Sequence, residues 1–241
     1  MSTMQDSKRP YKVLLIVPAY NEEKNILTVA RGIEDAGYDY VIVNDGSTDG
    51  TLDICREHRL NHLNLSKNLG IGGAVQAGHR YALEHGYDVD IQFDGDGQHD
   101  VSYVPRLLEA ISEGSDLVIG SRFVERTEGF QSTWLRRVGI QWLSFWIRLC
   151  TGLTVLDVTS GFRACSRRAI ELFCSYYPAD YPEPESIVYA GNRGFSIREV
   201  PVLMHERQGG TSSIGGFKSA YYMISVTLAI ITTRLSRGRR R

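Results

Sequence analysis

The run Phe93-Asp94-Gly95-Asp96-Gly97-Gln98-His99-Asp100 alternates acidic or amide side chains with other residues, so that Asp94, Asp96, Gln98 and Asp100 recur at every second position. The apolar run from Val89 to Phe93 before it reads as a buried strand. The oxygen cluster therefore sits at a strand end, with glycines that let the backbone turn sharply. Hard oxygen ligands in such a cluster suit Mg2+ or Mn2+ held together with the phosphates of a substrate. A lone Asp-x-Asp would read better as a solvated acidic turn. The rest of the first half of the chain decides between the two, because it repeats the pattern of strand followed by polar loop.

Those loops need elements to position them. Lys12–Val17 reads as a strand ended by Pro18, and residues 22–36 have helical spacing closed by Gly37. Tyr40–Val43 is a second strand running into Asn44-Asp45-Gly46-Ser47, after which Thr48 or Asp49 can cap a helix to about His58. A short strand at 62–65, a helix at 71–85, the strand before Asp94, a helix at 103–112 and a strand at 116–120 follow. Strands alternating with helices imply a mainly parallel sheet covered on both faces. In such sheets ligands bind beyond the carboxyl ends of the strands. The segments 18–22, 44–47, 94–100 and Ser121-Arg122 all fall there, so the polar loops converge on one rim.

Composition narrows the classes. A chain of 241 residues can bury a core of its own, and a net charge of −1 supplies no basic field to recruit nucleic acid. Cys55, Cys150, Cys165 and Cys174 lack C-x-x-C spacing and read as reduced thiols of a cytoplasmic protein. The polar first ten residues lack the apolar stretch of a secretory signal. No apolar run reaches the roughly 18–20 residues that span a bilayer. The second half differs in character. A helix at 133–150 carries Trp134, Trp142 and Trp146 beside Arg136, Arg137 and Arg148, which suits either a core helix with a basic edge or an interfacial helix. A final helix from about Gly216 has Phe217, Tyr221, Ile224, Leu228, Ile231 and Leu235 on one stripe, and Arg234, Arg237, Arg239, Arg240 and Arg241 end the chain.

Taken in order, Pro18-Ala19-Tyr20-Asn21-Glu22, Asn44-Asp45-Gly46-Ser47-Thr48-Asp49, Asn68-Leu69-Gly70, Asp94-Gly95-Asp96-Gly97-Gln98-His99, Gly120-Ser121-Arg122, Ser160-Gly161-Phe162-Arg163 and Arg207-Gln208-Gly209-Gly210-Thr211-Ser212 resemble the motifs of family 2 glycosyltransferases. The branch they resemble most is that of the dolichol- or polyprenyl-phosphate sugar synthases. The resemblance runs from Val13 to about Ser213. It implies an α/β fold of the nucleotide-sugar-binding GT-A type, mainly parallel with helices on both faces, over 1–215. Residues 216–241 would form an amphipathic, basic, membrane-facing helix and tail. It also implies that Pro18, Tyr20, Glu22 and Asp45 hold the base and ribose of a nucleoside diphosphate sugar, with Gly70 and Ser212 among the substrate contacts. Asp94, Asp96 and Gln98 would place Mg2+ or Mn2+ on the diphosphate, which offsets charge on the leaving group. Arg122, Arg136, Arg137 and Arg207 would bind phosphate, and Asp96 and Arg122 would count as catalytic.

The chain departs from the pattern in two places. Asp100 stands where the lipid-phosphate synthases commonly have proline. Tyr181-Pro182-Glu183-Pro184-Glu185, a rigid acidic connection before a short helix, lies where related sugar-hydroxyl transferases keep a carboxylate. A phosphate acceptor is already a nucleophile, whereas a hydroxyl needs a general base, and Glu185 is the candidate. The expected reaction is inverting transfer to polyprenyl phosphate at the inner membrane face, with a hydroxyl of a lipid-linked or cell-surface glycan as the alternative acceptor. The final helix then docks on the membrane surface or on an integral membrane protein. Three rivals fit less well. Gly70-Ile71-Gly72-Gly73-Ala74-Val75 lacks the third glycine of a dinucleotide fingerprint. A calcium loop starting at Asp94 would need glycine where His99 stands and glutamate at Pro105. A scaffold that has lost activity would not need both Asp94 and Asp96.

Overall fold

The computed structural model describes residues 11–124, 134–204 and 217–235. Its elements are β1 (Val13–Ala19), α1 (Ile26–Asp35), β2 (Asp39–Asn44), α2 (Thr51–Glu57), β3 (His62–Asn64), α3 (Gly70–Glu84), β4 (Val89–Gln92), α4 (Val104–Ser112), β5 (Leu117–Ser121), α5 (Trp134–Thr151), β6 (Arg163–Ser166), α6 (Arg167–Ser175), α7 (Pro182–Gly191), β7 (Ile197–Pro201) and α8 (Phe217–Leu235). The described strands form one seven-stranded sheet in the order β3-β2-β1-β4-β6-β5-β7. The neighbours β3-β2, β2-β1, β1-β4 and β5-β7 are parallel, and β6 runs antiparallel to both β4 and β5.

Alternation along β1 explains the layering. Leu14 and Ile16 point to one face, where α3, α5, α6, α7 and α8 supply Val75, Leu143, Phe173, Val188 and Ile230. Val13, Leu15 and Val17 point to the other, against Ile26 and Ile33 of α1, Cys55 of α2 and Leu107 of α4. A strand buried on both faces has to be apolar throughout, and β1 is. The glycine-rich start of α3 serves packing. A Cβ on Gly72 would lie 2.2 Å from the Pro178 carbonyl oxygen, and one on Gly78 would lie 2.3 Å from Ile16 Cγ2. Only glycine lets this helix lie so close to the 178–179 backbone and to β1.

Several boundaries differ from the sequence reading. β1 does not stop at Pro18. The Ile16 carbonyl accepts from the Phe93 N–H on the β4 side, and Pro18, two residues on, faces that same side past the end of the pairing. Its missing N–H therefore costs no ladder bond. The segment Tyr181–Glu185 is no connection before a helix: α7 begins at Pro182, and a first-turn N–H has no intrahelical acceptor to lose. β6, α6 and β7 complete the second half of the fold, where the sequence showed only turns and apolar runs. The four cysteines are free thiols.

The last helix is both core and surface. Val226 and Ile230 are fully buried, while Tyr221, Ile224 and Leu228 are 74%, 62% and 57% exposed. It packs beside α5, whose Trp142 Nε1 donates to Thr227 Oγ1 at 3.1 Å. The outer side of α5 adds the exposed Trp142, Phe145 and Leu149. Among the described residues no helix is long and apolar enough to cross a membrane.

Candidate active site

The carboxyl ends of β1, β2 and β4 and the first turns of α3 and α7 enclose a cleft of about 440 Å³. Pro18, Tyr20, Glu22, Asp45, Gly70, Asp94 and Asp96 all line it, so the structure brings together seven residues that the sequence placed on separate loops. Asn68, Gln92 and Glu183 line it too.

The end formed by β1 and β2 is knitted by short polar bonds. Asp45 Oδ1 accepts from the Leu69 N–H at 2.7 Å, which fixes the approach to α3. The Glu22 N–H donates to Thr51 Oγ1 at 2.9 Å, and the Asn21 N–H donates to Ser47 Oγ at 3.0 Å. Glu22 Oε2 accepts from Asn25 Nδ2. Tyr20 keeps its ring at the mouth, 48% exposed. An exposed aromatic ring beside two carboxylates can stack on a base and accept from hydroxyls.

At the β4 end the turn is built around His99. Its Nδ1 accepts the Asp94 N–H at 2.9 Å, and its ring stacks on Phe162 at 4.7 Å between centroids. Burial holds the imidazole below its ordinary value, against the upward pull of Asp94 and Asp96. A neutral ring with Nδ1 unprotonated is what the Asp94 N–H needs as acceptor. The Gln98 N–H donates to Asp96 Oδ1 at 3.0 Å, which closes the turn. Asp100 caps the next turn through the Ser102 N–H at 2.8 Å, so the residue that replaces proline here still starts a helix. The reversed strand β6 brings the start of its chain to this same rim. A Cβ on Gly161 would lie 2.9 Å from both Asp94 Oδ2 and Gln92 Nε2, so a larger residue here would displace those side-chain ends.

The donors of this turn suit a hard divalent cation. Asp94 and Asp96 offer carboxylate oxygens to the cleft, and Gln98 follows on the same turn. The described residues also contain a His79-Asp90-Cys165 group whose ligating atoms lie within 4.8 Å of one another. It is buried in the core, with His79 Nδ1 and Asp90 Oδ2 hydrogen-bonded at 2.7 Å, and burial pushes the Cys165 thiol well up. A protonated thiol is a poor ligand, and this mixed set differs from the all-oxygen turn at the cleft.

The remaining expectations separate. Arg122 follows the end of β5, but its Nε and Nη2 both bond Asp157, each at 2.7 Å, in a buried fork-to-fork pair. Its Nε and Nη2 are thereby held by Asp157 and Thr159, and Arg122 is not among the residues that line the cleft. Glu185 turns away: its carboxylate accepts from Thr233 Oγ1 of α8 at 3.2 Å, and burial pushes it above its ordinary value. Glu183 takes the cleft side instead, hydrogen-bonded to Gln92, and is also pushed up, chiefly by burial. Two residues along a helix are separated by about 200° of rotation, which is why one carboxylate faces the cleft and the other faces α8. Arg137 lies on α5, partly buried. Arg207, Ser212 and the side chain of Arg136 lie outside the described residues.

Sequence reading missed Gln92, Glu183 and His99 as builders of the site. Gln92 had a signal, since a polar residue in the last position of a buried strand needs a partner. Glu183 had none, because its orientation depends on where α7 begins.

A family model described as Glycosyl transferase family 2 matches residues 14–173. The polyprenol monophosphomannose synthase of Mycolicibacterium smegmatis is 31% identical over 245 residues, covering 95% of this chain and 90% of that protein. The UDP-N-acetylglucosamine–dolichyl-phosphate N-acetylglucosaminyltransferase of Methanococcus voltae is 32% identical over 241 residues, with 90% and 96% covered. Among solved structures, glucosyl-3-phosphoglycerate synthase from Mycobacterium tuberculosis, in complex with Mn2+, UDP and glucosyl-3-phosphoglycerate, superposes with a TM-score of 0.67 at 19% identity. That match covers 93% of this chain and 80% of that one. The strand order and this likeness make the fold GT-A.

Proposed function

Because the chain belongs to glycosyl transferase family 2, we propose that this glycosyltransferase moves a sugar from a nucleoside diphosphate sugar to a polyprenyl phosphate, inverting the anomeric carbon by direct in-line attack. The observation that carries the reading is the single cleft with nucleotide-suited groups (Tyr20, Glu22, Asp45) at one end and the acidic turn at the other. Both relatives above are named for polyprenol or dolichyl phosphate chemistry.

Asp94, Asp96 and Gln98 would hold Mg2+ or Mn2+, whose positive charge stabilises the departing nucleoside diphosphate when bound. The chain's own residues do the rest. Tyr20, Glu22 and Asp45 orient the nucleotide, and the fixed position of the strand ends aligns the anomeric carbon for attack. The acceptor phosphate is ionised at neutral pH and needs no proton removed. A glycan hydroxyl as acceptor, with Glu185 as base, draws less support, because that carboxylate is directed to α8.

We place the enzyme peripherally on the inner face of the membrane. The outer sides of α5 and α8 expose a band of large apolar side chains, and the sequence after α8 is rich in arginine. Aromatic and aliphatic side chains next to cations suit the headgroup layer, where each arginine near an anionic leaflet adds roughly 1 kcal/mol. Deleting α8 would remove Val226 and Ile230 from the core, so the test must alter the surface alone. Tyr221→Ser with Ile224→Ser and Leu228→Ser should keep the melting temperature and lose binding to anionic vesicles; unchanged vesicle binding counts against the placement.

The direct test of the reaction is to incubate the protein and Mn2+ with GDP-mannose, UDP-N-acetylglucosamine or UDP-glucose and a C55 polyprenyl phosphate. A lipid-phosphate sugar of inverted configuration, absent with Asp96→Ala, is expected. A product of retained configuration, or transfer that ignores the lipid phosphate, overturns the proposal.

A further inference from the structure

The sheet order sets a sequence of positions along the rim: β2 with Asp45, β1 with Pro18 to Glu22, β4 with the acidic turn, then β6 with Gly161. With the nucleotide at the first two and the diphosphate at the third, the transferred sugar comes next, on the side of β6 and α7. The polar groups there are Gln92 and Glu183. Gln92 Nε2 donates to Asp94 Oδ1 at 3.3 Å and the Gln92 side chain also bonds Glu183, so one amide ties the acidic turn to α7. Arg163, 2% exposed, fixes the other side of that junction. Its Nη1 donates to the Glu183 carbonyl at 2.7 Å and to Ser186 Oγ at 2.9 Å, and its Nε donates to the Ser160 carbonyl at 2.7 Å. A carboxylate clamped in this way through its backbone and its side chain is a fixed hydrogen-bonding group pointed into the cleft.

Transfer to a phosphate gives such a group no proton to remove from the acceptor. We propose that Glu183 is the residue that reads the hydroxyls of the transferred sugar, with Gln92 and Arg163 as its positioning residues. This rests on the glycosyltransferase reading above and adds to it the part of the cleft that discriminates between donor sugars. Hydroxyl groups of a sugar donate to carboxylate oxygens in short, charge-assisted bonds, and a site built for such a bond rejects a donor that lacks the hydroxyl.

The test uses titration calorimetry on the full chain with Mn2+, comparing GDP with GDP-mannose and UDP with UDP-N-acetylglucosamine. Glu183→Gln should bind the free nucleoside diphosphate as wild type does and bind the matching sugar nucleotide about tenfold to a hundredfold more weakly. That loss should vanish for the deoxy-sugar nucleotide that lacks the hydroxyl Glu183 reads. Glu183→Asp, which keeps a carboxylate but withdraws it by one methylene, should show the same selective loss. Equal weakening of GDP and GDP-mannose makes the residue structural and overturns the proposal. So does unchanged sugar-nucleotide affinity with a collapsed turnover and an altered pH profile, which would make Glu183 a general base. Both results leave the glycosyltransferase reading intact, whereas wild type that binds neither nucleoside diphosphate overturns both.

Discussion

Asp45 is the residue at which structure and ligand binding can be pulled apart. Its Oδ1 accepts the Leu69 N–H at 2.7 Å, and no described residue bonds Oδ2. Asp45→Ala removes both oxygens. A hydrogen bond to a charged group contributes about 1.5–3 kcal/mol, and this one is only part-buried, so the low end applies. About 1.5 kcal/mol in a chain of this size lowers the melting temperature by roughly 3–6 °C. Asp45→Asn keeps an oxygen for Leu69 and should melt within a few degrees of wild type. It nonetheless loses the charged acceptor offered to the nucleotide, so nucleoside diphosphate affinity should fall roughly 10- to 150-fold. Differential scanning calorimetry reads the first effect and titration calorimetry the second. If Asp45→Asn binds nucleotide as wild type does, the carboxylate makes no ligand contact. If Asp45→Ala melts with wild type, the bond to Leu69 contributes nothing and the reasoning from its geometry is wrong.

Gly161→Ala should push the Asp94 carboxylate off its position, since the new methyl would lie 2.9 Å from Oδ2; nucleotide binding should lose its Mn2+ dependence, and an unchanged Mn2+ titration would rule this out. Asp157→Ala should cost about 3–5 kcal/mol in urea unfolding, because it strands Arg122 with its side chain only 10% exposed; a loss under about 1 kcal/mol would mean that water solvates the arginine instead. Glu185 is pushed above its ordinary value of 4.5 by burial, so the fold disfavours its ionised form. That penalty is present at neutral pH and fades as pH falls toward 4.5. Glu185→Gln should therefore raise the melting temperature at pH 7, with the gain shrinking at lower pH, and a gain that grows on acidification would contradict the direction.

What was legible in the sequence follows from what kind of force sets each feature. The first four parallel strands were readable because β1 and β2 are largely apolar, β4 alternates Val89 and Ile91 with polar residues, and polar loops end them. Parallel strands deliver those loops to the same rim, so Tyr20, Asp45 and Asp94 could be grouped before any coordinates. β6 was hidden because it is short and begins with an arginine, which is tolerated only because Arg163 finds carbonyls of Val158, Ser160 and Glu183 around it. The roles of Glu183 and Glu185 depend on helical phase, and phase depends on whether α7 starts at Pro182 or after Glu185. The expectation for Arg122 came from its place after a strand end. Its actual partner, Asp157, lies 35 positions away, and no local pattern reports a pair of that kind.

The contacts of Gly72 and Gly78 bear on how the cleft responds to a ligand. They press α3 onto the 178–179 backbone and onto the Ile16 side chain, so the helix that contributes Gly70, Ile71 and Ala74 to the cleft wall is held in place by close packing. The backbone of that wall has little left to order when a ligand arrives. Ordering a flexible side chain on binding costs about 0.5–1.5 kcal/mol, and a wall already in place avoids that loss. In the proposed function a nucleotide would therefore dock onto an edge whose backbone is already in place.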